Sequence, residues 1–77
     1  MTRVYPNPVK DQLHIVSNSS EINYDVSITN ISGQEVLRKN NMVNESTIAV
    51  AHLPAGVYIV KLSHQEEQSE YYKVIKQ

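Results

Sequence analysis

Cysteine, tryptophan and phenylalanine are absent from this 77-residue chain, which has only two glycines and three prolines. Without cysteine there can be no disulfide framework, thiolate metal site or thiol nucleophile, although that absence leaves the compartment open. Long apolar runs are missing too: none approaches the roughly 18 residues of a membrane-spanning helix, so direct membrane insertion is not expected. Nor is there an excess of one charge, because seven basic and eight acidic side chains are spread along the chain for a formal net charge of -1. Proteins that bind nucleic acid show a clustered basic footprint, and without one no DNA or RNA partner is expected. Met1-Thr2-Arg3 runs straight into strand and turn residues with no apolar leader, so export would require a signal peptide on an upstream segment.

A chain of this length has room for one domain, residues 1–77. It buries only about 60% of the surface it exposes when unfolded, so nearly every element must contribute to the core. The recurrent local signal is the β-strand, in which apolar and polar residues alternate over short windows bounded by turn formers. Tyr24, Val26 and Ile28 fall on one face of their segment, with Asp25, Ser27 and Thr29 on the other. Leu13 and Ile15 repeat the pattern around His14, and Ile48 and Val50 repeat it again. Asn30-Ile31-Ser32-Gly33 suits a type I turn with its glycine in a left-handed conformation, joining two antiparallel strands. Ser17 to Ser20 reads as a polar turn and Asn40 to Asn44 as a loose loop. Gln65 to Tyr71, rich in Glu and Gln, lacks the apolar stripe of a helix and reads as a solvated hairpin loop. Strands are expected near 3–5, 11–17, 23–30, 34–39, 45–50, 56–64 and 69–76. That makes about six or seven short strands, the pattern of an all-β, compact immunoglobulin-like antiparallel β-sandwich.

Leu53-Pro54-Ala55-Gly56-Val57-Tyr58-Ile59-Val60-Lys61-Leu62 is the most informative stretch. Pro54 fixes its own φ and holds Leu53 extended, and Gly56 can take a positive φ, so the chain can reverse before the next strand. Tyr58, Val60 and Leu62 then point one way and Val57, Ile59 and Lys61 the other. With apolar residues on both faces, this strand is expected to be central. Pro6-Asn7-Pro8 lacks two of its three backbone donors and suits a stiff edge or linker.

Four blocks stand in a particular order: Tyr5-Pro6-Asn7-Pro8-Val9, Ile31-Ser32-Gly33-Gln34-Glu35-Val36, Leu53-Pro54-Ala55-Gly56-Val57-Tyr58 and Lys73-Val74-Ile75-Lys76. In that order and near that spacing they resemble the C-terminal sorting domain of type IX secretion cargo, over nearly the whole chain. The resemblance implies an immunoglobulin-like sandwich at the end of a larger cargo protein, with no catalytic role and no cofactor. It also implies partners: an outer-membrane translocon with its shuttle protein, and a sortase-like surface peptidase that often removes the domain. Cargo would cross the periplasm and finish at the cell surface or outside the cell. Carried over by position, Pro6, Asn7, Pro8, Gly33, Leu53, Pro54, Gly56 and Tyr58 are motif residues of structural weight, and Lys73, Val74, Ile75 and Lys76 are candidates for recognition. Gln77, after the terminal basic residue, departs slightly from the family pattern. An exposed edge near the Pro-rich start or the final strand could also pair with another chain.

Other functions find less support. His14, His52 and His64 lack metal-ligand spacing, and no serine sits in a nucleophile elbow. His14 reads as a solvent-face residue, and Glu66, Glu67 and Glu70 as a solvated cluster without the spacing of an EF-hand loop. A small glycan-binding or adhesion module would want an aromatic platform. Tyr71 and Tyr72 project to opposite faces while Tyr24 and Tyr58 look inward. An inert spacer is the remaining alternative.

Overall fold

The computed structural model describes residues 2–17, 23–64 and 68–77 and contains seven strands. They are β1 (Thr2–Tyr5), β2 (Gln12–Ser17), β3 (Tyr24–Asn30), β4 (Glu35–Met42), β5 (Glu45–Ala49), β6 (Gly56–His64) and β7 (Glu70–Lys76). A three-stranded sheet has the order β1-β2-β5 and a four-stranded sheet the order β4-β3-β6-β7. Every ladder is antiparallel. This is the immunoglobulin-type division of seven strands with one change, because β4 pairs with β3 where a constant-type domain keeps its fourth strand beside the fifth.

Alternation builds the core. Leu13, Ile15 and Ile48 from the first sheet meet Tyr24, Val26, Ile28, Val60, Leu62 and Val74 from the second, all buried. Val9, Val50 and Leu53 enter from the loops at one end. As its two apolar faces predict, β6 is central, with β3 and β7 on its flanks.

The Asn30 to Gly33 turn has the expected geometry. Gly33 takes φ 87°, and its N–H donates to the Asn30 carbonyl at 3.0 Å. The Asn30 side-chain oxygen accepts from the Ser32 and Gln34 amides, each at 3.0 Å. Two expectations change. The loop placed over Asn40 to Asn44 is strand as far as Met42. The pairing survives there through a bulge: the register slips between Tyr24 and Val26, Asn41 takes φ 58°, and its N–H donates to the Asp25 carboxylate at 3.1 Å. Glu70 and Tyr71 stand in β7, as the strand expected over 69–76 has them, so the solvated loop expected over Gln65 to Tyr71 ends before them. Residues 18–20 of the polar turn and 65–67 of the hairpin loop, Glu66 and Glu67 included, lie outside the described residues.

Candidate functional site

The Leu53 to Leu62 stretch folds as a corner between the two sheets. Leu53 is buried, and its N–H donates to the Val50 carbonyl at 3.0 Å. Gly56, at φ 155°, swings the chain into β6. Two residues later Tyr58 faces the core, and its hydroxyl returns to donate to the Pro54 carbonyl at 2.6 Å. A tyrosine near the start of the sixth strand, bonded to backbone a few residues upstream, is the tyrosine corner of immunoglobulin-type sandwiches. The sequence reading placed the Tyr58 ring in the core but did not foresee this bond.

The Pro-rich segment between β1 and β2 lies along the outer edge of β7, and both of its X-Pro bonds, Tyr5–Pro6 and Asn7–Pro8, are cis. Val9 N–H donates to the Ile75 carbonyl and Gln77 N–H to the Val9 carbonyl, each at 2.8 Å. Asn7 bonds through its side chain: its Nδ2 donates to the Lys73 carbonyl at 3.1 Å, and its Oδ1 accepts from the Ile75 N–H at 2.9 Å. Prolines on both sides cannot donate to a ladder, so the one amide side chain between them supplies a donor and an acceptor in their place. The first and last motifs are thereby a single structural unit. From Lys73 to Gln77 the outer edge of β7 is occupied by the chain itself, so this part of the final strand does not offer the exposed edge expected there. Asn7→Ala removes both side-chain bonds at a solvent-exposed edge and is expected to cost about 1–2 kcal/mol in urea unfolding. Hydrogen exchange at the Ile75 amide should accelerate at the same time.

Strand alternation separates the four candidate recognition residues. Lys73 and Ile75 face outward. Val74 is in the core, and Lys76 follows it inward, only 8% exposed. The Lys76 stem closes one end of the core with Val9, Leu53, Tyr58 and Val74, while its Nζ donates to the Gln77 carbonyl at 2.8 Å. A lysine can bury its methylenes and keep its ammonium at the rim in this way. The two lysines that the motif groups together therefore sit in different environments.

At the opposite end of β7 stands a polar cluster that sequence reasoning missed. The Glu70 carboxylate accepts from the Tyr72 hydroxyl and from Thr2 Oγ1 at 3.3 Å, and lies 2.7 Å from Nε2 of the buried His64. Burial pushes the Glu70 carboxyl up, but the hydrogen bonds from Tyr72, His64 and Thr2 and the charge of His64 outweigh it and hold the group below its ordinary value. Burial and the Glu70 carboxylate push the Tyr72 hydroxyl up. A lowered carboxyl contributes stability that is complete above the unfolded value of 4.5 and is lost as pH falls through the folded one. Glu70→Gln is therefore expected to flatten the acid limb of a stability–pH profile as pH falls below 4.5. The signal for this placement was available, since Glu70 shares its side of β7 with Tyr72 and Val74.

The remaining candidates are scattered. His14 sits on the outer face of the first sheet, beside Tyr5 and 3.1 Å from Thr47 Oγ1. His52 is exposed in the turn after β5. A polar cleft is lined by Asn23, Asp25, Asn41, Ser63 and His64, and its one carboxylate already receives the Asn41 amide. Among the described residues, no group of three His, Cys, Asp or Glu side chains is placed to hold a metal ion. Tyr5 and Tyr71, the exposed tyrosines, belong to different sheets and form no platform.

Residues 3–77 match the model of a protein family described as the secretion system C-terminal sorting domain. No curated protein matches the chain significantly.

Proposed function

The chain belongs to the secretion system C-terminal sorting domain family, and from that premise we propose that residues 1–77 are a module carried at the C-terminal end of a larger cargo protein. The domain is a sorting signal of type IX secretion. It acts with that machinery, and a protein that bears it is secreted through the outer membrane. The family is not catalytic.

In the finer reading, cargo reaches the periplasm by its own signal peptide, and the folded domain is bound there by the outer-membrane translocon and its shuttle protein. A sortase-like peptidase then removes the domain at the surface, leaving the cargo attached to the cell or released. Within the candidate recognition block, Lys73 and Ile75 are the residues presented to a partner, while Val74 and the Lys76 stem hold the strand in place. The observation that carries the reading is the extent of the family match, which covers residues 3–77 and so reaches every strand of the sandwich.

Fusion of residues 1–77 to a periplasmic reporter in a type IX-competent bacterium tests it. The reporter is expected outside the cell. Retention in the periplasm, under conditions where an established sorting domain carries the same reporter out, refutes the reading. Lys73→Ala is expected to reduce export while shifting the melting temperature by less than about 2 °C, as for other surface substitutions. Lys76→Ala is expected to lose about 1 kcal/mol through its buried stem, and Lys76→Met to recover it. Export of the Lys76→Met variant then reports on the ammonium alone.

A further inference from the structure

The two outer faces of the sandwich differ in chemistry. On the first sheet, β2 and β5 turn Gln12, His14, Thr47 and Glu45 outward, with Val16 and Ala49 as the apolar members of that face. On the second sheet, the β6–β7 ladder aligns Val57 with Ile75, Ile59 with Lys73 and Lys61 with Tyr71, all on the side away from the core. Ile75 is 41% exposed and Tyr71 62%. The tip of the β3–β4 hairpin, Ile31, is 80% exposed at the same end of this sheet as Val57 and Ile75. Val57, Ile59 and Ile75 are neighbours on this ladder and at least partly open to water, on a chain too small to spare apolar surface.

On β6 and β7 the outward charges are both positive, Lys61 and Lys73. Lys61 lies 5.9 Å from the Tyr71 ring centroid, and among the described residues neither Lys61 nor Lys73 makes an ion pair. The carboxylates of the same sheet face are already engaged. Glu35 accepts from Ser27 Oγ at 2.7 Å and lies 3.3 Å from Arg38, and Asp25 receives the Asn41 amide. A second copy offering the same two strands would bring no acidic side chain from them to meet Lys61 and Lys73. Strand addition at β7 is also blocked from Lys73 to Gln77 by the Asn7–Val9 segment.

We propose that the outer face of β6 and β7, with Val57, Ile59 and Ile75 as its apolar centre and Lys61, Lys73 and Tyr71 as its basic and aromatic border, is the docking surface for a protein partner that is apolar at its centre and acidic around it. The proposal rests on the sorting reading and assigns the part of the domain that the secretion machinery grips. An apolar centre with charged surroundings is the usual anatomy of a specific protein interface, and opposite charges at the border speed encounter and set orientation. The surface is a sheet face, so it is read by side chains and leaves the backbone edges alone.

The reporter fusion tests this with two face variants, K61E/K73E and Y71S/I75S, and a control, R3E/K10E, that makes the same change in charge elsewhere. The expected result is at least a tenfold fall in exported reporter for both face variants, melting temperatures within about 5 °C of the parent, and parental export for the control. Parental export of both face variants overturns the docking surface and leaves the sorting reading standing. An equal fall for R3E/K10E also overturns it, since net charge would then be what is read. Retention of the parent fusion itself overturns the sorting reading. Two measurements on the isolated chain separate other occupants: a dimer in sedimentation velocity that Ile75→Ser disperses would assign the face to a second copy. Binding to phosphatidylglycerol vesicles that K61E/K73E abolishes would assign it to an anionic membrane. Either result overturns the proposal.

Discussion

Tyr58→Ala is expected to cost about 3–5 kcal/mol, because it removes a large buried ring and leaves a cavity where β6 begins. A single domain is stable by only about 5–15 kcal/mol, and one of this size lies toward the low end, so the variant should be substantially unfolded at 37 °C. Tyr58→Phe separates the two roles of the side chain. It keeps the ring and loses only the bond to Pro54, for an expected cost of about 1–2 kcal/mol. Urea unfolding measures both. If Tyr58→Phe matched the parent, the corner would be held by packing alone and the hydroxyl would have no structural role. Export should follow stability across this pair, since neither variant touches the outer face of β6 and β7.

Gly56→Val is expected to cost about 1–3 kcal/mol, and the cause is backbone conformation alone. At φ 155° the residue lies where L side chains rarely go, yet a Cβ built there meets no atom within 4 Å. Crowding and strain can therefore be told apart. Gly56→Ala should lose nearly as much as Gly56→Val, although the two side chains differ in volume. For a domain of this size that loss is a fall of about 4–8 °C in melting temperature per kcal/mol. An unchanged midpoint for both variants would refute the strained geometry. A loss confined to valine would point to a steric clash instead.

Most of the fold was legible because alternation is a local property. The period of two around His14, through Tyr24 to Thr29 and through Tyr58 to Leu62 identifies which side chains turn inward, and the strands end where Pro, Gly and Asn permit a turn. The extension of β4 to Met42 was hidden by a bulge, which lets strand pairing pass through two asparagines that look like loop. The pairing of β4 with β3 could not be read from periodicity, since nothing in a single strand names its neighbour. At the candidate site the same alternation already placed Glu70 and Lys76 on the inner side of β7. Charge alone points both residues to solvent, yet a lysine stem can cover a core and a carboxylate can be held by three donors. Asn7 was unreadable for another reason. Its partners lie 66 and 68 residues away, and no local pattern reports a bond of that span.

That span orders folding in time. Contacts between distant parts of a chain form late, because the intervening polypeptide must be confined before they add stability. Residues 7–9 precede nearly all of the sandwich during synthesis, and the groups they bind, from Lys73 to Gln77, come last. Until those last residues emerge, Asn7 and Val9 have no partners and the end of the core beneath Lys76 stands open. A domain fastened in this way joins its first loop to its final strand, so the Pro-rich segment and the outer edge of β7 keep or lose their order together.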